Sequence, residues 1–120
     1  MKKKLSFIVA SLLLGALSSC KKTASVSIQY DGNEKSVQFA IEEIKTSLKQ
    51  NKLKYVNSGG DYQIIINNST EDIAKEGYKI KVENNTINVL SNDSTGLMYG
   101  GLQLAENISL NKSITNSRKS

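Results

Sequence analysis

The sequence predicts an α+β fold, a two-layer sandwich in which two helices lie on one face of a mixed four-stranded sheet. Three observations predict it. Several short segments alternate apolar and polar residues with a period of two, which is typical of half-buried strands. Two longer segments repeat apolar residues at helical spacing. These segments follow one another in the order β-α-β-β-β-α within a chain of 120 residues.

The first strand and the first helix come near the start of the predicted domain. Val26, Ile28 and Tyr30 alternate with polar residues, and the run 31–33 then turns the chain. A helix is predicted from about residue 34 to residue 50, because apolar residues recur at i, i+3, i+4, i+7 and i+11. This stripe consists of Val37, Ala40, Ile41, Ile44 and Leu48.

Three more strands are predicted after the break at residues 58–60. Tyr62, Ile64 and Ile66 alternate in a strand of about six residues, which a loop at 67–76 follows. A hairpin comes next, with Tyr78, Ile80 and Val82 in its first strand and Ile87 and Val89 in its return strand. Asn84 and Asn85 are expected to form a type I′ turn, because asparagine tolerates positive φ. The first strand, helix and second strand predict a right-handed parallel crossover, to which the hairpin adds antiparallel strands.

The second helix is predicted to begin after the capping oxygens of residues 93–95. Its apolar stripe consists of Leu97, Met98, Leu102, Ala105 and Ile108. Gly96, Gly100 and Gly101 are unexpected there, because an interior glycine costs about 1 kcal/mol relative to alanine. We expect close approach of this helix to the sheet or to the first helix, a packing reason rather than a ligand-binding one.

The N-terminal segment has the three parts of a secretory signal. Lysines at positions 2–4 precede an apolar stretch at 5–17, which is too short for an ordinary spanning helix. The run Leu17-Ser18-Ser19-Cys20 resembles the lipobox of bacterial lipoproteins. This resemblance implies that residues 1–19 are removed and that Cys20 receives a lipid, which anchors the protein to a membrane of the cell envelope, facing the periplasm or the exterior.

Residues 20–25 are then the lipidated cysteine and linker, residues 26–110 the domain, and residues 111–120 a disordered polar tail. The net charge of +5 is misleading, because half of the 16 cations lie in the leader and the tails. The domain carries eight cations and eleven anions, a net charge near −3. Nucleic-acid binding is therefore not expected.

The composition restricts the available chemistry. The chain has no histidine, which excludes Ser-His-Asp catalysis and most transition-metal sites, and its single cysteine cannot form an internal disulfide. Glu42 and Glu43 are adjacent on a helix and diverge by about 100°, so a solvated helix face is favoured over an acid–base pair. Glu71 and Asp72 alone supply too few oxygen ligands for a Ca²⁺ site. No cofactor and no metal are expected.

Three tyrosines could stack on sugars, but Tyr62, Tyr78 and Tyr99 each occur in an apolar pattern, and core or seam packing is favoured. Phe39 differs, because it lies about 180° from the apolar stripe of its helix. Ile65 and Leu90 interrupt the otherwise polar second face of the sheet. These last three residues form a candidate contact patch, not necessarily a continuous one.

Two segments carry a second resemblance. Gly77-Tyr78-Lys79-Ile80-Lys81-Val82 with its return strand, and Gly96-Leu97-Met98-Tyr99-Gly100-Gly101-Leu102-Gln103-Leu104, are similar to the small domain that precedes the catalytic barrel in β-N-acetylhexosaminidases and α-glucuronidases. The resemblance covers about residues 26–110. It implies a glycoside-hydrolase accessory domain without catalytic residues, because no position matches the barrel motifs.

Three hypotheses follow. The first is a non-enzymatic, lipid-anchored accessory domain, associated with carbohydrate metabolism, that packs against a carbohydrate-active partner. The second is an independent envelope module that binds a glycan or a peptide. The third is the remnant of a truncated glycosidase. The sequence does not decide between them and does not indicate a sugar.

Overall fold

A computed structural model describes residues 23–110 of the chain. The predicted leader, the lipidation site Cys20 and the polar tail lie outside the described residues. The described part contains two helices and five strands: β1 (Ser25–Tyr30), α1 (Lys35–Gln50), β2 (Lys54–Tyr55), β3 (Tyr62–Asn68), β4 (Lys79–Glu83), β5 (Thr86–Ser91) and α2 (Ser94–Ser109). The strands form one mixed sheet in the order β2-β1-β3-β5-β4. The α+β two-layer class is confirmed, with one strand more than predicted.

The additional strand is the two-residue β2, which pairs with β1 in parallel. It follows directly from the end of α1, where Asn51 caps the helix and Lys52 takes a left-handed φ of 61°. The backbone N–H of Leu53 then donates to the Leu48 carbonyl at 2.8 Å, which turns the chain back along the sheet. Two residues are too few to produce an alternating pattern, so this strand has no periodic signal in the sequence.

The hairpin is antiparallel within itself, but its second strand, β5, pairs with β3 in parallel. β4 is therefore the edge strand and β5 lies inside the sheet. Charge explains this order, because β5 has no charged residue whereas β4 carries Lys79, Lys81 and Glu83, which are suited to a solvent-exposed edge. Asn84 has a φ of 56° but Asn85 has no positive φ, so the expected type I′ turn is wrong.

The core lies between the sheet and the two helices. Ile64, Ile66, Ile87 and Val89 alternate along the central strands and are almost fully buried. The helices supply the other half of the same cluster, including Val37, Ile44, Leu48, Leu97, Leu104 and Ile108. Each such aliphatic side chain contributes about 1.5–3 kcal/mol on burial, so this single cluster stabilises the domain.

The glycines of α2 let this helix approach its neighbours closely. A Cβ at Gly101 would lie 2.9 Å from the Ala40 Cβ of α1, and a Cβ at Gly100 would lie 2.7 Å from Cγ1 of Val89. A Cβ at Gly96 would overlap the Ser91 hydroxyl and the backbone carbonyl that precedes Tyr78. The predicted packing role of the glycines is confirmed, and it involves both the sheet and the first helix.

Gly96→Ala tests this packing. We expect the substitution to lower the free energy of unfolding by about 1–3 kcal/mol, the usual cost of overpacking, although alanine favours a helix interior by about 1 kcal/mol. Urea unfolding followed by circular dichroism measures the change. Thr95→Ala, one residue away and without a new Cβ, is the matched control and should stay within about 0.5 kcal/mol of the parent chain. Equal or higher stability of Gly96→Ala would contradict the close approach.

Candidate functional site

The three residues of the predicted contact patch do not meet. Phe39 is 54% exposed on α1. Ile65 and Leu90 are half-buried on β3 and β5. Their side chains point away from the helices, because neighbouring residues Ile64 and Val89 face the core and successive side chains of a strand alternate. The sheet and the core therefore separate Phe39 from the other two residues.

The surface of α1 and α2 that points away from the sheet is here called the outer helical face. Among residues 23–110, the exposed large apolar side chains are Phe39, Tyr99 (44% exposed) and Leu110 (57% exposed). All three belong to the helices or to the residue that ends α2. The helical layer thus carries the exposed apolar surface, whereas the strands expose charged and amide side chains.

A shallow groove of about 240 Å³ runs between the helices on this face. Its lining is mostly polar: Glu43, Thr46, Ser47, Gln50, Leu102, Ala105, Glu106 and Ser109. Phe39 continues the α1 wall of the groove, because it precedes Glu43 by four residues and Thr46 by seven and so lies on the same side of the helix. A few apolar side chains inside a polar surround are typical of protein–protein contact surfaces.

Tyr62 and Tyr78 pack against the core as predicted, and the Tyr78 hydroxyl donates to Oε1 of Gln103 at 3.4 Å. Tyr99 is exposed instead, and the expectation of core packing is wrong for it. The sequence contained the signal for this, because Tyr99 comes two residues after Leu97 and so falls off the buried stripe, as Phe39 does on α1.

Two of the four carboxylates considered for chemistry, Glu42 and Glu71, have ordinary structural partners. Glu42 accepts a hydrogen bond from Lys45 at 3.3 Å in an exposed ion pair. Glu71 accepts from Lys79 at 2.8 Å and from Lys81 with its other oxygen. These two hydrogen bonds lower the pKa of Glu71 from 4.5 to about 2. Within residues 23–110, no group of three metal-binding side chains is assembled.

Asp93 joins the second helix to the loop before β4. Its Oδ1 accepts from the Gly96 N–H at 2.7 Å, which caps α2 as predicted. Its Oδ2 accepts from the Glu76 N–H at 2.9 Å. Hydrogen bonds from the backbone of Glu76 and Gly96 lower the pKa of Asp93, which keeps the cap ionised and positioned near the positive end of the helix dipole.

Asn92 fixes the start of the same loop. Its Nδ2 donates to the carbonyls of Ser69 at 3.0 Å and Glu71 at 3.1 Å, while its Oδ1 accepts from the Ile73 N–H at 2.8 Å. The loop of residues 69–77 is therefore held by two adjacent side chains at the end of β5. The sequence predicts capping oxygens at residues 93–95 but contains no signal for this second role of the segment.

The helices of the described part are neither long nor apolar enough to cross a bilayer. The sequence and the fold were also compared with known proteins. The family model of glycosyl hydrolase family 20, domain 2, matches residues 15–112. This match confirms the resemblance to a hexosaminidase accessory domain. No curated protein matches the chain.

Among solved structures, the chain is similar to a GH138 enzyme targeting pectin rhamnogalacturonan II, with a TM-score of 0.61 and 18% sequence identity. The similarity covers 75% of this chain and 14% of that enzyme's chain. At this identity the likeness concerns the fold. The shared unit is thus a small part of a much longer glycoside hydrolase.

Glu71→Gln tests the loop ion pairs. Because the folded pKa of Glu71 lies below its unfolded value, its stabilising effect should be complete above pH 4.5 and disappear as the pH falls toward about 2. We expect the substitution to lower the urea midpoint at pH 7, and the difference from the parent chain to vanish near pH 2. Added salt should reduce the difference at pH 7.

Asp72→Asn is the matched control, since Asp72 is the exposed neighbour of Glu71 and forms no ion pair with the described residues. Its urea midpoint should follow that of the parent chain at every pH. A Glu71→Gln midpoint that also follows the parent chain at pH 7 would contradict the ion-pair assignment.

Proposed function

The chain belongs to the glycosyl hydrolase family 20, domain 2 family, and from this we propose that its domain is a non-catalytic accessory unit of a glycoside hydrolase. From the lipobox-like run at residues 17–20 we further propose that a lipid on Cys20 tethers it to the cell envelope. The family match concerns an accessory domain rather than a catalytic one. The chemistry of the described residues agrees with this, because Glu42 and Glu71 are engaged in ion pairs and Asp93 caps a helix.

One observation supports the proposed position of the docking surface of this accessory unit, namely the exposed apolar side chains of the outer helical face. Phe39 lies on α1 and Tyr99 on α2, the two helices that line the shallow groove. Both side chains are only about half exposed, so covering them would contribute a part of the roughly 1.5–3 kcal/mol that full burial of such a side chain gives. The face of the sheet that points away from the helices, here called the open face, has no comparable anchor within residues 23–110, because charged side chains such as Lys79 and Lys81 are exposed there. The outer helical face is therefore the docking surface.

The proposed occupant of this surface is the catalytic domain of a glycoside hydrolase. The matched unit is named as domain 2 of such enzymes, and in the GH138 enzyme the similar part is 14% of a longer chain. The acidic groove residues Glu43 and Glu106 would then favour basic or hydrogen-bond-donating groups on the partner. The catalytic domain can belong to the same polypeptide or to another one.

The proposed tether would keep the domain close to the membrane. Only residues 21–24 separate Cys20 from the first residue of β1, and four extended residues span at most about 14 Å. Lys21 and Lys22 would lie beside the headgroups, where each adds about 1 kcal/mol of attraction to anionic lipids. Docking to a catalytic domain would thereby hold that enzyme at the envelope.

Photo-crosslinking tests the docking surface. With a benzoylphenylalanine in place of Phe39, illumination of the cells that make the protein should produce an adduct, identified by mass spectrometry, to a glycoside hydrolase catalytic domain. The matched control carries the same group in place of Gln29, which is exposed on the open face of the sheet, and should give no such adduct.

Two outcomes would contradict the proposal. Adducts of equal yield from both positions, or none from position 39, would remove the outer helical face as the docking surface. Turnover of aryl glycosides by the purified chain would contradict the non-catalytic assignment.

Cys20→Ser tests the tether. The thiol is the nucleophile that takes the lipid, and a hydroxyl is far less reactive in that role, so the variant should lose metabolic labelling with an alkyne fatty acid. It should also leave the membrane fraction after alkaline carbonate extraction. Ser19→Ala, which keeps a small residue before the cysteine, should retain label and membrane association. Undiminished labelling of Cys20→Ser would overturn the lipidation site.

A further inference from the structure

A second concave surface lies at the end of the sheet opposite the first residue of β1. It is a cleft of about 390 Å³ at the carboxyl ends of β1, β3 and β5, where both helices begin. Its lining comes from the β1–α1 connection, the end of β3 and the first turn of α2, and includes Tyr30, Asn33, Asn68 and Asp93. In open sheets with parallel strands, this edge is the usual position of ligand sites.

The two walls of the cleft differ in how their polar groups are used. On the α2 side, the side chains of Asn92 and Asp93 bind the loop and cap the helix, as described above. On the β1 and β3 side, Asn33, Asn67 and Asn68 are exposed and form no hydrogen bond with residues 23–110 through their side chains. Because side chains alternate along a strand, Asn68 follows Ile64 and Ile66 on the helical side of the sheet, whereas Asn67 follows Ile65 toward the other face. The amides of Asn33 and Asn68 are thus available to a ligand in the cleft.

The chemistry of the lining selects the kind of ligand. Each amide offers donors and an acceptor, which suits hydroxyl groups. Asp31 and Glu34 place negative charge at the same position, which opposes phosphates and uronates, and no metal-binding group of three is assembled in the described part. The apolar components are the half-buried Tyr30 and the buried side chains beneath it, too little for a lipid.

Tyr30 is held in place at the floor of the cleft. Its hydroxyl accepts from the Glu34 N–H at 3.4 Å, and its ring is in close contact with Gly32, where a Cβ would be 2.6 Å from Cζ of the ring. A fixed aromatic ring beside free amides is an arrangement that matches the apolar and hydroxyl faces of a sugar.

We propose that this cleft is a binding site for a neutral glycan, in which the amides of Asn33 and Asn68 hydrogen-bond sugar hydroxyls beside Tyr30. The volume falls within the range of small-ligand sites. The cleft is separate from the outer helical face, so glycan binding does not depend on docking to an enzyme. An experiment can therefore contradict either proposal without contradicting the other.

Calorimetric titration of the purified full chain in detergent micelles tests the site. The probes are four tetrasaccharides, namely cellotetraose, maltotetraose and chitotetraose as neutral glycans and tetragalacturonate as the acidic one. We expect saturable binding of at least one neutral glycan and none of tetragalacturonate. Asn33→Ala combined with Asn68→Ala should weaken the neutral binding about tenfold or more, because each lost hydrogen bond costs several-fold in affinity.

Asn88→Ala is the matched control, since it removes the same amide from the open face of the sheet and should leave affinity unchanged. If the double variant does not fold, Asn33→Ala, which lies in the β1–α1 connection rather than in a strand, makes the same test. Absence of binding to all three neutral glycans, equal binding of tetragalacturonate, or affinity that survives the removal of the amides would each overturn the proposal.

Discussion

The close approach of α2 to its surroundings is the constraint on which the rest of this domain depends. Gly96 lies against the Gly77 carbonyl and the Ser91 hydroxyl, and that hydroxyl donates to the same carbonyl at 2.5 Å. One turn further, Gly100 meets Val89 of the sheet and Gly101 meets α1. Because no Cβ fits at these positions, the helix is fixed against the strand β5, the start of β4 and the other helix at once.

This contact also determines what the end of β5 can do. Ser91, Asn92 and Asp93 are successive residues, and each bonds a different part of the chain: the carbonyl before β4, the loop after β3, and the first turn of α2. Because the side chains of this segment are already hydrogen-bonded to backbone groups, few of their polar atoms remain to bind a ligand. The amides of the cleft that form no hydrogen bond with the described residues consequently lie on the other wall, at the ends of β1 and β3.

Much of this architecture follows from local patterns in the sequence. Period-two alternation located the four longer strands, and the stripe containing Val37 and Ile44 located α1, because these patterns record directly which side faces the core. β2 and the turn at Asn85 could not be predicted, for a different reason. Their conformations depend on the reversal after α1 and on the hairpin's backbone geometry, which leave no periodic signature in so few residues.

The site was harder to predict than the fold because it depends on relative placement. Phe39 could be recognised as lying off the apolar stripe of its helix, but only the sheet order shows that it and Ile65 face opposite sides of the domain. The placement also links the two proposals. β1 begins at Ser25, at the end of the sheet opposite the cleft, and it ends at Tyr30, beside the cleft. A lipid tether preceding Ser25 would hold the amino end of the sheet toward the bilayer, so the cleft would open away from the membrane, on the side where soluble glycans can reach it.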